Sequence, residues 1–224
     1  MAGGEGGFDY ANRGDGVSVV LLPAPVRTRF TEEMRGHFAP YTGQSFEAAD
    51  VAGRGELRPG YFVLTVVTDV QAMIADPNRR SPAFGCLLLP ELSPDPIRVT
   101  EGWLDLFVDA GPRRVEMRYG LRLRTAAGEP YYLRGTKVIA HRRWFPTVLV
   151  DTTTLFVDVH RGDGPTGDPL LRGILRMGPL AVTAQGLSFR GEGGLFGIAA
   201  IARFMAYYVR RVWWVYTGPV TPAT

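Results

Sequence analysis

Lysine occurs once in this chain, at Lys137, while the other 24 of its 25 basic residues are arginine. In such a composition, a retained lysine marks a place that needs a compact, titratable ammonium and not a planar guanidinium. Residues Tyr131, Leu133, Gly135, Lys137 and Ile139 share one parity of a predicted strand, so the ammonium falls in an apolar row. A second strand repeats the anomaly with the opposite sign. Phe30, Glu32, Met34, Gly36 and Phe38 share a face, and Glu32 is its one charge. An isolated buried charge is expensive, so each is expected to have a partner. Two readings stand side by side. Glu32 and Lys137 form a structural ion pair that fixes the fold, or they form a general acid/base or hydrogen-bonding pair facing a ligand cavity. Parity gives the side a residue faces but not its height, so contact between them is not deducible from sequence.

Other residues can furnish such a cavity. Tyr119, Tyr131 and Trp103 are candidate lining aromatics, and Met34 and Met117 are candidate apolar contacts. Ordinary core packing is the competing reading for each, with any buried phenol or indole still needing a partner. The run Asp151-Thr152-Thr153-Thr154-Leu155 is a turn aspartate followed by good strand formers, or it aims a hydroxyl, Thr153 among them, into the cavity. His37, His141 and His160 lack metal-ligand spacing, and no metal site is expected. No cofactor is expected either. Gly191, Gly193, Gly194 and Gly197 miss the spacing of a dinucleotide loop, and Gly186 to Gly191 misses the nucleophile elbow.

The elements that must position these residues are strands. Residues 114–124 alternate strictly, with Arg114, Glu116, Arg118, Arg122 and Arg124 on one face and apolar residues on the other, as in a half-buried antiparallel strand. Further strands are expected at 28–38, 61–68, 83–89, 97–108, 131–140, 148–160, 170–177 and 180–189, with one helical turn at 70–76. Gly, Pro, Asp and Asn punctuate the gaps, and there is neither βαβ alternation nor an internal repeat. A meander of this length avoids exposed edges by closing on itself. Residues 1–16 read as a Gly-rich disordered leader, and 17–26 as a proline-broken apolar segment over the barrel or at an edge. Residues 193–218 hold a helix over 195–216, followed by a tail at 219–224. On that helix Ile198, Ile201, Met205, Tyr208, Val212 and Val215 are expected to line the docking face, with Trp213 and Trp214 also docking. Its arginines argue against a membrane span; docking on the barrel wall or across its mouth is expected, with lying on a membrane surface as the alternative.

The 28 glycines and 17 prolines among 224 residues suit many turns, and the length suffices for a sizeable core. A net charge of +3 without a basic stripe argues against nucleic-acid binding. The single Cys86 excludes an internal disulfide, reads as a small core residue and fits a reducing cytoplasm; no secretory signal is apparent. A homo-oligomer is compatible with the sequence.

Three pieces taken together carry a family resemblance. They are Phe30-x-Glu32-x-Met34-x-Gly36, then Tyr119 through Gly128 to Tyr132-Leu133-Arg134-Gly135-Thr136-Lys137, then Asp151-Thr152-Thr153-Thr154-Leu155. From about Phe30 to Tyr216 the chain resembles the lipocalin-like, calycin-type module attached to bacterial cholesterol-oxidase-like flavoproteins. The resemblance implies a β-barrel with an apolar interior. It implies no flavin chemistry, since the chain lacks a dinucleotide-binding domain. The expectation is therefore an all-β, antiparallel up-and-down lipocalin-like barrel of about eight to ten strands with a C-terminal helix. Its ligand would be a hydrophobic small molecule. A cofactor-independent cyclase or isomerase of a polyketide or terpenoid is the leading functional expectation. A carrier for a sterol, lipid or pigment and a filled interaction module are the alternatives.

Overall fold

The computed structural model describes residues 27–140, 147–192 and 194–217. The expected leader, the 17–26 segment, His141 and the tail lie outside the described residues. Eight long strands run antiparallel in a continuous order: β1 (Arg27–Pro40), β2 (Pro59–Asp69), β3 (Arg80–Leu88), β4 (Ile97–Asp109), β5 (Arg114–Arg124), β6 (Pro130–Ala140), β7 (Thr154–Arg161) and β8 (Leu171–Arg176). β8 then pairs with β1, which already pairs with β2, and the sheet closes into an eight-stranded barrel. A two-residue strand, β9 (Arg190–Gly191), extends β1 at its start. Closure needs a glycine. A Cβ on Gly36 would lie 1.8 Å from the Ile174 carbonyl oxygen, so only a residue without a side chain lets β1 approach β8.

Helices segregate by end. The β1–β2, β3–β4, β5–β6 and β7–β8 connections occupy one end of the barrel. Into the first of them is set α1 (Phe46–Gly55), packed outside on β1 and β8. Its cap is the Ser45 hydroxyl, which accepts the Ala48 N–H at 3.2 Å, and Asp50 on its buried side holds Arg54 and Arg176. The other end carries α2 (Val70–Ala75), α3 (Thr147–Thr153), α4 (Pro179–Ser188) and α5 (Leu195–Thr217). The first end is filled by side chains such as Phe38, Phe62, Leu87 and Ile97, all essentially unexposed. The second end holds the inward-facing charges Glu32 and Lys137 and an interior cavity.

Several expectations require correction. Residues 180–189 form α4 and not a strand: Gly178 caps, Pro179 occupies the first turn with its φ already helical, and Val182 donates back to the Gly178 carbonyl at 3.0 Å. The strand expected at 148–160 is α3 followed by β7, so the threonine run straddles a helix end. The helix α1 has no counterpart among the expected elements. On α5 the buried face is Gly197, Ala200, Phe204, Tyr207, Val215 and Tyr216, whereas Ile198 and Met205 are exposed. The arginine pattern explains the error: Arg203 and Arg210 mark only one flank, and the packed stripe runs through small and aromatic residues. Trp213 and Trp214 are exposed and do not dock. Cys86 is half-buried, beside an irregularity in the β3–β4 register, instead of lying in the core.

Candidate functional site at the helix-covered end

Strand alternation turns Glu32 of β1 and Lys137 of β6 into the barrel, and both lie at the helix-covered end. The Lys137 Nζ donates to Glu32 Oε1 at 3.0 Å, with the two side chains 1% and 5% exposed. Two further donors complete the carboxylate. The Tyr119 hydroxyl from β5 donates to Oε2 at 2.8 Å, and the Gln185 amide from α4 donates to Oε1 at 3.0 Å. The ammonium also stands 5.4 Å from the Tyr119 ring centroid, within reach of a cation–π attraction. One acid is thus held by an amine, a phenol and an amide contributed by three separate elements.

Beside this cluster is a cavity of about 290 Å³. Its wall is mostly apolar: Phe30, Met117, Met177, Val182, Phe189, Phe204 and Met205. Its polar atoms come from Glu32, Lys137, Thr152, Thr153, Gln185 and Tyr208. Phe30, Phe189 and Phe204 form a contiguous aromatic cluster, with centroids 5.0 Å and 5.7 Å apart, that joins β1 to the segment after α4 and to α5. The position of α4 is fixed at its end, where the Thr31 N–H donates to the Ser188 hydroxyl at 2.9 Å. The far end of α5 is held by Arg113, which donates to the Val215 carbonyl at 3.0 Å, and by the Tyr216 hydroxyl, which donates to Asp151 at 3.0 Å. The cavity is therefore covered by two helices that are each tied to the barrel.

The two phenols near Glu32 are pushed to stay protonated. Burial raises the Tyr119 hydroxyl well above its ordinary value, and the neighbouring Glu32 carboxylate raises it further. Tyr208 is pushed up to about 12, again chiefly by burial and secondarily by Glu32. Both stay protonated phenols through the neutral range, and Tyr119 uses its proton to donate to Glu32.

The expected site residues distribute unevenly. Glu32 and Lys137 meet, Met117 and Thr153 line the cavity, and Tyr119 lies directly beneath Glu32. Met34 is fully buried in the core one step deeper along β1 and does not line the cavity. Tyr131 is six residues from Lys137 on β6, about 20 Å at the strand rise, and its hydroxyl donates to Glu129 at the opposite end. Trp103 is on the outer face. Its ring covers Gly120 across β5, lies tilted against Tyr132 with centroids 6.1 Å apart and sits under Arg80 at 4.8 Å. An irregularity in the β4–β5 register after Val99 reverses the parity that would have placed it inside. Gln185, Tyr208, Phe204 and Met177 were not anticipated as site residues. Reading Gly178-Pro179 as a helix start would have turned Gln185 toward the barrel; nothing in the sequence places Met177.

Among the described residues no group of histidine, cysteine or carboxylate side chains could hold a metal ion, and no helix is long and apolar enough to cross a membrane. Compared with known proteins, the chain matches no protein family, no curated protein and no solved structure.

Proposed function

We propose that the barrel binds a hydrophobic small molecule carrying an oxygen function, with its apolar body among Phe30, Met117 and Phe204 and its oxygen at Lys137. The observation that carries this reading is the placement of a void directly against the one buried ammonium. The pair is itself almost fully buried, and it still borders this void. The volume suits a small guest, at the lower end of ordinary ligand pockets. Glu32 is already engaged by three donors, so its role is to hold Lys137 and Tyr119 in place rather than to take a proton from a substrate. The resemblance to the module of cholesterol-oxidase-like flavoproteins makes sterols and terpenoids the first ligands to try.

A second reading is cofactor-independent isomerisation or cyclisation of such a guest. It is favoured by the neutral Tyr208 phenol, which lines the same cavity as Lys137. An ammonium and a phenol converging on one carbonyl would polarise it, and the cavity would hold a flexible chain in a reactive conformer.

The test is extraction of the purified protein with organic solvent and mass spectrometry of what is released, done on wild type and on the double variant Glu32→Leu/Lys137→Met. Replacing both members of a buried pair by apolar residues is often about neutral for stability, with about 1–3 kcal/mol to be lost here from the buried Tyr119 hydroxyl, whose acceptor is removed. The proposal expects a folded double variant that no longer retains the wild-type ligand. Equal retention by both proteins, or no bound or bindable sterol or terpenoid in wild type, overturns it. Conversion of the identified ligand by wild type and not by the double variant establishes the catalytic reading.

A further inference from the structure

Among the described residues, nine of the sixteen most exposed large hydrophobic side chains belong to α4, α5 and the link between them. On α5 they form a second stripe, opposite the buried one: Ile198, Met205, Val209 and Trp213, 41–65% exposed, recur at helical spacing with Ala202 between them. Leu180 and Leu187 of α4, 86% and 71% exposed, add further apolar surface at the same end of the barrel. Monomeric proteins rarely leave so large an apolar area to water without a use for it.

The charges on this surface say what covers it. Neither α4 nor α5 contains an acidic residue, and Arg203 and Arg210 project on one flank of the stripe. Pairing with a second copy through these helices would offer the arginines no carboxylate from either helix. Anionic headgroups supply that counter-charge, guanidiniums extend toward them while apolar neighbours enter the acyl boundary, and tryptophan favours the same depth. The cavity opens between the same two helices: Val182 and Gln185 of α4 and Phe204 and Met205 of α5 line it, and Met205 also belongs to the exposed stripe. We propose that α4 and α5 dock the barrel on an anionic lipid surface with the cavity mouth toward the bilayer. A lipophilic guest then passes between membrane and cavity without crossing water.

The experiment is flotation of the full chain with vesicles of phosphatidylcholine alone or mixed with phosphatidylglycerol, at low and high salt, alongside intrinsic tryptophan fluorescence. The expected result is flotation with the phosphatidylglycerol vesicles, a blue shift in emission, and release as salt rises. Arg203→Gln/Arg210→Gln should weaken binding roughly 30-fold, and Val209→Glu/Trp213→Glu should abolish it. These positions are exposed, so both variants should keep the wild-type melting temperature. Wild type that fails to float, or a Val209→Glu/Trp213→Glu variant that floats as well as wild type, overturns the proposal. A stable dimer in light scattering with no vesicle binding overturns it in favour of a second copy. The readout needs no ligand in the cavity, so its failure is separate from failure of the binding reading above.

Discussion

Two carboxylates in this protein are almost equally hidden, Glu32 inside the barrel and Asp158 on its outer face, yet they are satisfied in different ways. Asp158 is taken by two guanidiniums: Arg172 bonds both oxygens at 2.8 and 3.3 Å, and Arg134 bonds one at 3.2 Å. Arg172 is in turn sandwiched near the Tyr41 and Phe46 rings, at 4.5 and 4.2 Å. This is rigid forked recognition between strands β6, β7 and β8, and it holds the sheet together. Glu32 is met instead by a single ammonium, a phenol and an amide, and that cluster borders the interior cavity, whereas Asp158 and Arg134 line an open, largely charged groove of about 660 Å³ on the outer face. Arginine does the first task, and in a chain otherwise stripped of lysine the second retains one. On the binding reading proposed above, the surroundings of a buried acid, more than its burial, separate a structural role from a ligand-directed one.

Breaking each cluster should expose the difference. Lys137→Met leaves Glu32 buried without its counter-ion and should cost about 3–5 kcal/mol in urea unfolding. Adding Glu32→Leu removes the stranded carboxylate and should return part of that loss, the Tyr119 hydroxyl and Gln185 amide now lacking their acceptor, without returning ligand retention. Asp158→Ala should cost about 1.5–3 kcal/mol and leave ligand retention intact, because the cavity does not reach it. Gln185→Ala removes one of three donors from Glu32 and should cost at most about 1.5 kcal/mol. It should also speed ligand release, because Gln185 comes from a covering helix.

The smallest effects are in pH dependence, and the two regions should report on opposite sides of neutrality. On the outer face His160, one residue from Val159 and two from Asp158, has its pKa lowered, chiefly by burial and against the pull of Asp158. The unfolded chain therefore binds a proton that the native ring refuses, and stability falls as pH drops below about 6.5. His160→Phe should flatten that acid limb of the unfolding curve. Inside the barrel, Tyr119 and Tyr208 keep their protons above the ordinary phenol value, so the unfolded chain loses protons first. Stability should then fall from about pH 10 upward. Tyr208→Phe should reduce this alkaline loss, and near-ultraviolet phenolate absorbance should show the native ring titrating only near pH 12.

Sequence carried the barrel well because its strands alternate. Residues 114–124 match β5 residue for residue, and the parity that put Lys137 and Glu32 inside was correct for both. Parity failed at Trp103, where one extra residue in β4, just ahead of Gly102, reverses sides. It could not give height, so Tyr131 and Lys137 shared a face on paper while lying at opposite ends. The helices covering the cavity were the least legible. The stretch 180–189 is apolar enough to pass for a buried strand, and only Pro179 argues otherwise. On α5 both sides are apolar, one against the barrel and one toward solvent, so periodicity alone could not choose between them.

The long separation of Glu32 and Lys137 along the chain, 105 residues, has a bearing on how this protein reaches its native state. Strand β1 comes first among the described residues and gains its second neighbour only when β8 arrives; until then one of its edges remains open to other chains. A partly closed sheet that buried Glu32 before β6 was in place would strand an acid without its base, so half-formed barrels are penalised and closure becomes all-or-none. Late, cooperative and comparatively slow folding, typical of non-local β topologies, follows from the same pair that marks the cavity.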